Sequence, residues 1–276
     1  INISMIIKAS NGVKKETRHS TLYRTYRPAT FKEVRGQDHV VGVLEKEIKN
    51  KKPAHAYLFA GGRGTGKTSV ARILAHELGV SDKDLYEIDA ASNRGIDDIR
   101  LLREGVYAMP FESPYKAYII DEAHMLTKEA WNAFLKTLEE PPAHCVFVLA
   151  TTDRDRVPET IQSRCEIFTF KQPTRTMLAE SVADIAKKEG YTLERSAAEL
   201  VALLAEGSFR DALSILQKIL AVSSDKKIEV AEVEAVSGAP RGELVRQLLS
   251  AIATQDSSAA LKTIQHAVSE NMDART

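Results

Sequence analysis

YLFAGGRGTGKT, at residues 57–68, joins an apolar run to a glycine-rich loop. After the loop, Val70, Ile73, Leu74 and Leu78 recur at the spacing of one helix face. This order of strand, loop and helix fits the pattern G-x-x-x-x-G-K-[ST], whose backbone N–H groups and helix N-terminus surround phosphate oxygens. The sequence therefore predicts a nucleotide-binding loop formed by Gly61, Gly62, Arg63, Gly64, Thr65, Gly66, Lys67 and Thr68.

Two side chains of this loop carry its predicted chemistry. We expect the ammonium of Lys67 to reach the outer phosphates and the hydroxyl of Thr68 to ligate Mg²⁺. The alternative is a glycine-rich turn with a surface lysine. The flanking strand and helix favour the nucleotide site, because structural context is what confirms a motif of this kind.

A second, acidic segment is expected to complete the site. YIIDE, at residues 118–122, is an apolar strand that ends in two acids, and open α/β sheets bind ligands at the carboxyl ends of their strands. We expect Asp121 to hold Mg²⁺ through water and Glu122 to orient and activate the attacking water. The alternative is an acidic turn between strand and helix. We interpret His124, in the string DEAH, as a polar residue that opens the next helix.

Strands and helices alternate through the first part of the chain. Further apolar runs predict strands, and amphipathic stripes between them predict helices at 96–106 and 131–138. The predicted strands lie at 85–88, 118–120, 145–150 and 167–170. Strands separated by helices of this length predict a parallel sheet with helices on both faces, which is the α/β class.

The strand pattern stops at Gln172-Pro173, and helical patterns follow up to a break at Gly238-Ala239-Pro240. Those helical patterns lie at 177–187, 197–204, 212–220 and 230–236. We therefore predict four segments: a basic N-terminal arm at 1–21, an α/β nucleotide-binding domain at 22–172, a small helical domain at 173–239, and the start of another helical domain at 240–276.

Length and charge set broad limits on the protein. The chain has 276 residues, enough for two domains and part of a third, and its formal net charge is zero. Residues 1–35 nevertheless hold eight Lys or Arg against two Glu, either as a footprint for an acidic partner or as a solvated arm. The chain begins with Ile1 and ends directly on a helical pattern, so we expect a fragment.

Cysteine content and hydropathy indicate the compartment. Cys145 and Cys165 are the only cysteines and neither belongs to a C-x-x-C pair, so neither a disulfide framework nor a structural zinc site is predicted. No apolar stretch approaches the length needed to span a bilayer. We expect a cytoplasmic protein without a membrane segment.

Three further residues are candidates by their position. Thr152 ends the strand that follows the acidic pair, where a threonine hydroxyl can bond a γ-phosphate or the attacking water. Arg164 in the string SRC and Arg210 in the string GSFRD offer guanidinium forks suited to a γ-phosphate. Each arginine alone is more often a surface residue, so the spacing of the whole set carries the prediction.

Together these segments resemble the AAA+ ATPases and, within that class, the bacterial clamp-loader subunits of DNA polymerase III, the gamma/tau family. The resemblance runs from Leu22 to about Arg241. The strings that carry it are LYRTYRP at 22–28, GQDH at 36–39, HAYLFAGGRGTGKT at 55–68, EIDAASNRGIDDIR at 87–100, YIIDEAHMLTKEAWNAFLKTLEEPP at 118–142, LATT at 149–152 and SRC at 163–165.

The resemblance implies a role for each candidate residue. Lys67 and Thr68 are then the Walker A pair, and Asp121 and Glu122 the Walker B pair. Thr152 corresponds to sensor 1. The residues implied on the adenine side of the nucleotide are Tyr23, Tyr26, Arg27, Pro28, Gly36 and Gln37.

Two arginines have implied roles beyond the Walker motifs. Arg210 would be sensor 2 on a helical lid, while Arg164 would be an arginine finger that acts on the ATP of a neighbouring subunit. The residues from about 240 onward would begin the collar domain that holds the subunits together.

The resemblance also implies partners. ATP and Mg²⁺ would drive the loading of a sliding clamp onto primed DNA, within a hetero-pentamer that contains several copies of this subunit and delta and delta-prime type subunits. DNA would be held by backbone contacts, since a loader must accept any primer–template junction. Arg94, Arg100 and Arg103 are candidate phosphate partners, and solvated helix-face arginines are the alternative.

The sequence departs from the family in one place and leaves two alternatives open. Family members commonly carry a cysteine-rich zinc module between the helix after the glycine-rich loop and the next strand. Here Gly79 to Asp84 connect these two elements without a cysteine, so no zinc is predicted.

A non-hydrolysing structural subunit of delta-prime type is one alternative function, although intact Lys67, Thr68 and Glu122 argue against it. The other is a different AAA+ DNA-processing ATPase, such as a Holliday-junction motor or a replication-restart factor, which the SRC and LEEPP strings match poorly.

Overall fold

A computed structural model describes residues 21–223, 225–238 and 242–269. These residues form two compact units, one from Arg27 to Gln172 and the other from residues 21–26 together with the described residues after Gln172. The predicted basic arm up to residue 20, and residues 239 and 240 of the predicted break, lie outside the described residues.

The first unit is built on a parallel sheet, as the apolar runs predicted. In the described part of the chain its order is β2-β3-β4-β1-β5, and every pairing is parallel. The carboxyl ends of all five strands therefore meet at one edge. The strands are β1 (Ala56–Gly61), β2 (Leu85–Asp89), β3 (Lys116–Asp121), β4 (Cys145–Thr151) and β5 (Glu166–Phe170).

Helices cover both faces of this sheet, which confirms the predicted α/β class. On one face Trp131 and Phe134 pack against Phe147 of the central strand, with the rings of Phe134 and Phe147 5.3 Å apart edge to face. On the other face Ile73 and Leu74 pack against Phe59. After α1 (Leu22–Thr25), which belongs to the second unit, the helices are α2 (Asp38–Lys49), α3 (Lys67–Glu77), α4 (Ile96–Tyr107), α5 (Lys128–Glu139) and α6 (Glu159–Gln162), with 3-10 turns at Phe31–Glu33 and Ala123–Met125.

Where the structure describes it, the second unit is helical apart from two short strands. We expected no strand after Gln172, but β6 (Thr192–Leu193) and β7 (Lys227–Ile228) pair in parallel. Two residues per strand are too few to show an alternating pattern, so tertiary pairing decides them. The helices are α7 (Arg175–Lys188), α8 (Arg195–Leu204), α9 (Phe209–Val222), α10 (Val230–Ser237), α11 (Gly242–Ala253) and α12 (Ser257–Ser269).

The domain boundaries differ from the prediction at two points. We placed residues 22–26 in the α/β domain, but they belong to the helical unit, where Leu22 is buried and its N–H bonds the side chain of Gln217 at 2.9 Å. We also separated 240–276 from 173–239, whereas the described residues of both segments fall in one unit. The apolar side of α1 is too short to show in the sequence which core it joins.

Candidate functional site

The glycine-rich loop starts where β1 ends. A Cβ on Gly61 would lie 2.5 Å from the carbonyl oxygen of Phe170 on the neighbouring strand, so only glycine fits there. Gly66 has a φ of 100° and caps the N-terminus of α3. The loop therefore runs directly into the N-terminus of α3, which is the positive end of the helix dipole. Backbone N–H groups at such a helix N-terminus bind phosphate.

Lys67 is folded back into the loop. Its Nζ donates to the carbonyl oxygens of Gly61 and Gly62, at 2.8 Å each, and only 6% of the residue is exposed. Burial lowers the pKa of Lys67, while the nearby carboxylates of Asp121 and Glu122 oppose that shift. Because hydrogen bonds to an anion are stronger than those to neutral carbonyls, a phosphate in the loop would stabilise this buried ammonium further.

Thr68 and Asp121 meet at the same edge of the sheet. The hydroxyl of Thr68 donates to Oδ2 of Asp121 at 2.9 Å, and Oδ1 of Asp121 accepts the N–H of Glu122 at 3.0 Å. Among the described residues no group of three or more His, Cys, Asp or Glu side chains is arranged to hold a metal ion. Mg²⁺ is often held by one or two carboxylates, with water and phosphate oxygens as its other ligands. The hard oxygens of Thr68 and Asp121 fit that requirement.

Glu122 has a strained backbone. Its φ of 49° and ψ of 41° lie in the left-handed region, which costs a residue with a side chain roughly 1–3 kcal/mol. Oε2 of Glu122 accepts the hydroxyl proton of Thr152 at 3.2 Å. The ends of β3 and β4 thus bring the two predicted residues into contact.

His124 lies at the site, although the sequence did not place it there. We interpreted it as a helix-opening polar residue, but its ring lies beside Glu122 with only 11% of its side chain exposed. Its Nδ1 is 3.1 Å from the hydroxyl of Thr151 and 3.5 Å from Oε2 of Glu122. The string DEAH and the paired threonines were the available signals.

Gln37 braces the loop in this structure. Its side chain is fully buried, with Nε2 donating to the carbonyl of Lys171 at 2.8 Å and, more weakly, to that of Thr65 at 3.4 Å. Oε1 accepts the N–H of Lys171 at 3.1 Å. Gly36 precedes it with a φ of 75°. The amide thus ties the loop to the end of β5, and the implied contact of Gln37 with adenine stays a prediction.

The other residues implied on the adenine side divide between the units. Arg27 and Pro28 open the first unit, while Tyr23 and Tyr26 belong to the second. In the second unit the guanidinium of Arg210 lies 4.8 Å above the ring of Tyr23. The neighbouring side chains of Thr21 and then Arg210 lower the pKa of Tyr23 to about 8. The structure joins Tyr23 and Arg210, and their roles toward a nucleotide stay predictions.

Arg164 lies away from the phosphate loop of its own chain. It precedes β5, and β5 pairs Glu166 with Tyr57 and Phe170 with Gly61. Four strand residues, roughly 13 Å, therefore separate the start of β5 from the level of the loop. The guanidinium instead donates to Glu139 at 2.8 Å and to the carbonyl of Thr160 at 2.6 Å.

A basic groove runs between α4 and α5. Arg100, Arg103 and Lys136 line it, and Arg94 is exposed just before α4. Arg100 also pairs with Asp97 at 3.1 Å. The remaining lining residues are Ile96, Glu129, Asn132 and Ala133. Two of the three arginines that we proposed for phosphate contacts thus share one surface with a lysine.

These features define the AAA+ ATPase class. They are a glycine-rich loop at the end of β1, an acidic pair at the end of β3, a threonine at the end of β4 and a helical unit after the sheet. Solved structures of RuvB from Thermotoga maritima, a Holliday junction branch migration motor, share the fold. One is 22% identical with a TM-score of 0.64, covering 82% of this chain and 79% of that chain. A mutant of the same protein is 23% identical with a TM-score of 0.65. At this identity the likeness shows the fold alone.

Sequence comparisons identify the family. The family described as "DNA polymerase III, delta subunit" matches residues 36–91 and 80–174, and "DNA polymerase III clamp loader subunit, ATPase lid domain" matches residues 177–225. DNA polymerase III subunit tau of Bacillus subtilis is 39% identical, covering 92% of this chain and 49% of the relative. The gamma/tau subunit of Mycoplasma pneumoniae is 42% identical, covering 77% and 34%.

The chain belongs to the DNA polymerase III gamma/tau clamp-loader family, which confirms the resemblance. It spans half the length, or less, of these curated relatives. No helix in the described part of the chain is long and apolar enough to cross a membrane.

Proposed function

We propose that this chain is an ATP-hydrolysing motor subunit of the replicative clamp loader in the cytoplasm. It would use ATP to load a sliding clamp onto primed DNA during replication. One observation carries the proposal: two hydrogen bonds assemble the site beside the loop of Lys67. The bond from Thr68 to Asp121 joins the start of α3 to the end of β3, and the bond from Thr152 to Glu122 joins the ends of the neighbouring strands β4 and β3. Family membership supports the same activity.

The residues of this cluster divide the reaction between them. Lys67 would exchange its carbonyl partners for the outer phosphate oxygens of ATP. Thr68 and Asp121 would hold Mg²⁺, which when bound neutralises negative charge on the phosphates. Glu122 would orient the attacking water, and Thr152 would fix the carboxylate that does so. Positioning and electrostatics of this kind supply most of the catalysis in phosphoryl transfer.

We infer that Arg164 acts on the ATP of a neighbouring subunit. Its place before β5, away from the loop of its own chain, supports action in trans. A hetero-pentamer of several such subunits with delta and delta-prime type subunits would supply that neighbour. The apolar residues exposed on α11 and α12, such as Leu249 and Leu261, suit the beginning of a helical collar.

Primed DNA is the proposed nucleic-acid partner. The cations of the groove between α4 and α5 suit phosphate contacts that are independent of base sequence. Arg94 would extend this surface. Affinity for DNA should then fall steeply with salt, because each neutralised phosphate releases counterions.

The two alternatives predict different behaviour. A non-hydrolysing structural subunit would not need the complete cluster of Lys67, Thr68, Asp121 and Glu122. A branch-migration motor is suggested by the fold of RuvB, but the relatives at 39–42% identity favour the clamp loader.

Co-purification separates these functions. The chain, extended to the full gene product, is mixed with a ring clamp and delta-type subunits, with and without ATP. We expect ATP-dependent retention of the clamp that Lys67→Ala abolishes. Failure to retain any clamp, together with binding to four-way DNA junctions, would point to the motor instead.

A further inference from the structure

Glu122 is held by more than its predicted partner. Oε2 accepts the proton of Thr152, and Nδ1 of His124 faces the same oxygen at 3.5 Å. The geometry points to His124 as a positioning residue, which uses its Nδ1–H to hold the catalytic carboxylate relative to Thr151. This inference rests on the proposed ATP hydrolysis and adds a residue to it.

Hydrogen-bond accounting assigns the proton of the ring. The hydroxyl of Thr151 donates to the carbonyl of Asp153 at 2.9 Å and accepts the N–H of Asp153 at 3.0 Å. A hydroxyl has one proton to give and two lone pairs. With that proton engaged by the carbonyl of Asp153, the geometry assigns Nδ1 of His124 as the donor in its 3.1 Å contact with Thr151.

Electrostatics favours the same tautomer. A bare Nδ1 would turn its lone pair toward the carboxylate of Glu122, whereas Nδ1–H presents a positive hydrogen to it. The proton on Nδ1 therefore satisfies Thr151 and attracts Glu122 at the same time.

The arrangement connects a buried residue to a more exposed one. Thr151 is fully buried at the end of β4, and His124 is nearly so, which fixes the ring. Glu122 is more than a third exposed and lies in a strained turn. Both contacts that the described residues make with its carboxylate fall on Oε2. The other oxygen, Oε1, is thereby oriented to accept a hydrogen bond from the attacking water.

Two variants of similar size test the role. His124→Asn keeps an N–H donor near the position of Nδ1, while His124→Leu removes it. We expect both to bind ATP as tightly as the unmodified protein, because Lys67, Thr68 and Asp121 are untouched. Turnover in the assembled complex should fall about 10–100-fold in the leucine variant, the scale of a misplaced catalytic group, and recover in part with asparagine. His144→Asn is the control, since its ring bonds a backbone carbonyl elsewhere.

A direct measurement needs no variant. Nitrogen-15 chemical shifts of the His124 imidazole in the 276-residue chain distinguish a protonated Nδ1 from a protonated Nε2. We expect Nδ1–H in the unmodified protein and its loss as the dominant form in Thr151→Val, which lacks the accepting hydroxyl.

The outcomes separate this inference from the proposed function. An unmodified complex that hydrolyses no ATP contradicts the proposed function and the role of His124 with it. Normal hydrolysis with equal turnover in His124→Leu, or an Nε2–H tautomer in the unmodified chain, overturns the role of His124 alone.

Discussion

At the scale of single residues, the site is a set of polar groups that form hydrogen bonds with one another and with the loop backbone. The ammonium of Lys67 is held by two carbonyls, and the hydroxyls of Thr68 and Thr152 bond the acids that they would assist. A polar group that is buried without a partner is costly, and these internal bonds give each group a partner. The same groups are then already in position when nucleotide arrives.

Lys67→Ala should remove tight binding of ATP. The variant loses the buried cation that pairs with the phosphates, and deleting one partner of such a pair costs about 2 kcal/mol or more, which is about 30-fold in affinity. Titration with a fluorescent ATP analogue measures this. Lys83→Ala is the matched control, since Lys83 pairs with Glu112 on the surface. Unchanged affinity in the Lys67 variant would remove the basis of the site assignment.

At the scale of elements, the sequence predicted most of the sheet because its strands are short continuous apolar runs. The five strands were placed within two residues of their observed ends, and the loop, the acidic pair and Thr152 followed from that placement. Periodicity could not show that α1 joins the helical unit or that β6 and β7 pair. It also could not show that His124 reaches back to Thr151, because a contact between two strand ends depends on the register of the sheet.

The segment between α3 and β2 is held by hydrogen bonds to a buried carboxylate. Asp84 is fully buried and accepts the backbone N–H groups of Phe111, Glu112 and Ser113, at 2.6, 3.0 and 2.9 Å. Burial alone would raise the pKa of Asp84, but these hydrogen bonds outweigh it and hold the pKa below its usual value. A hydrogen-bonded carboxylate thus joins two connecting segments at this end of the sheet.

Stability should therefore depend on pH through Asp84. Because the pKa is lower in the folded than in the unfolded state, the stabilisation is complete above the unfolded value of about 4 and is lost as pH falls through the folded value. Asp84→Asn should lower the melting temperature at pH 7. It should also make the melting temperature decrease less steeply as the pH falls below 5. Asp82→Asn, at an exposed position, is the control. Identical melting profiles for Asp84→Asn and the unmodified protein would contradict the role of these hydrogen bonds.

At the scale of the whole molecule, the proposed function gives the chain parts of two active sites. The loop and acidic pair occupy the carboxyl edge of the sheet, while Arg164 lies before β5 at the other. Glu139 pairs with Arg164 in the single chain, and under the proposed function a phosphate of a neighbouring subunit would replace Glu139 as its partner. Hydrolysis should then depend on assembly.

Arg164→Ala should leave ATP binding intact and cut DNA-stimulated hydrolysis in the assembled complex, by roughly 10³-fold or more if it acts as an arginine finger. Mixing Arg164→Ala subunits with Lys67→Ala subunits tests the direction of action. Partial recovery of hydrolysis as the ratio varies shows action in trans. An isolated monomer that hydrolyses ATP at the full assembled rate, and loses that activity in Arg164→Ala, would show action in cis.

The most direct test of ATP hydrolysis at this site is Glu122→Gln, assayed for binding and turnover in the same assembled complex. Lys67, Thr68 and Asp121 remain to hold nucleotide and metal, while the carboxylate that activates water is lost. We predict ATP affinity equal to that of the unmodified complex and phosphate release slower by about 10²–10⁴-fold, the usual cost of a lost catalytic base. Phosphate release within a few-fold of the unmodified rate would contradict the account.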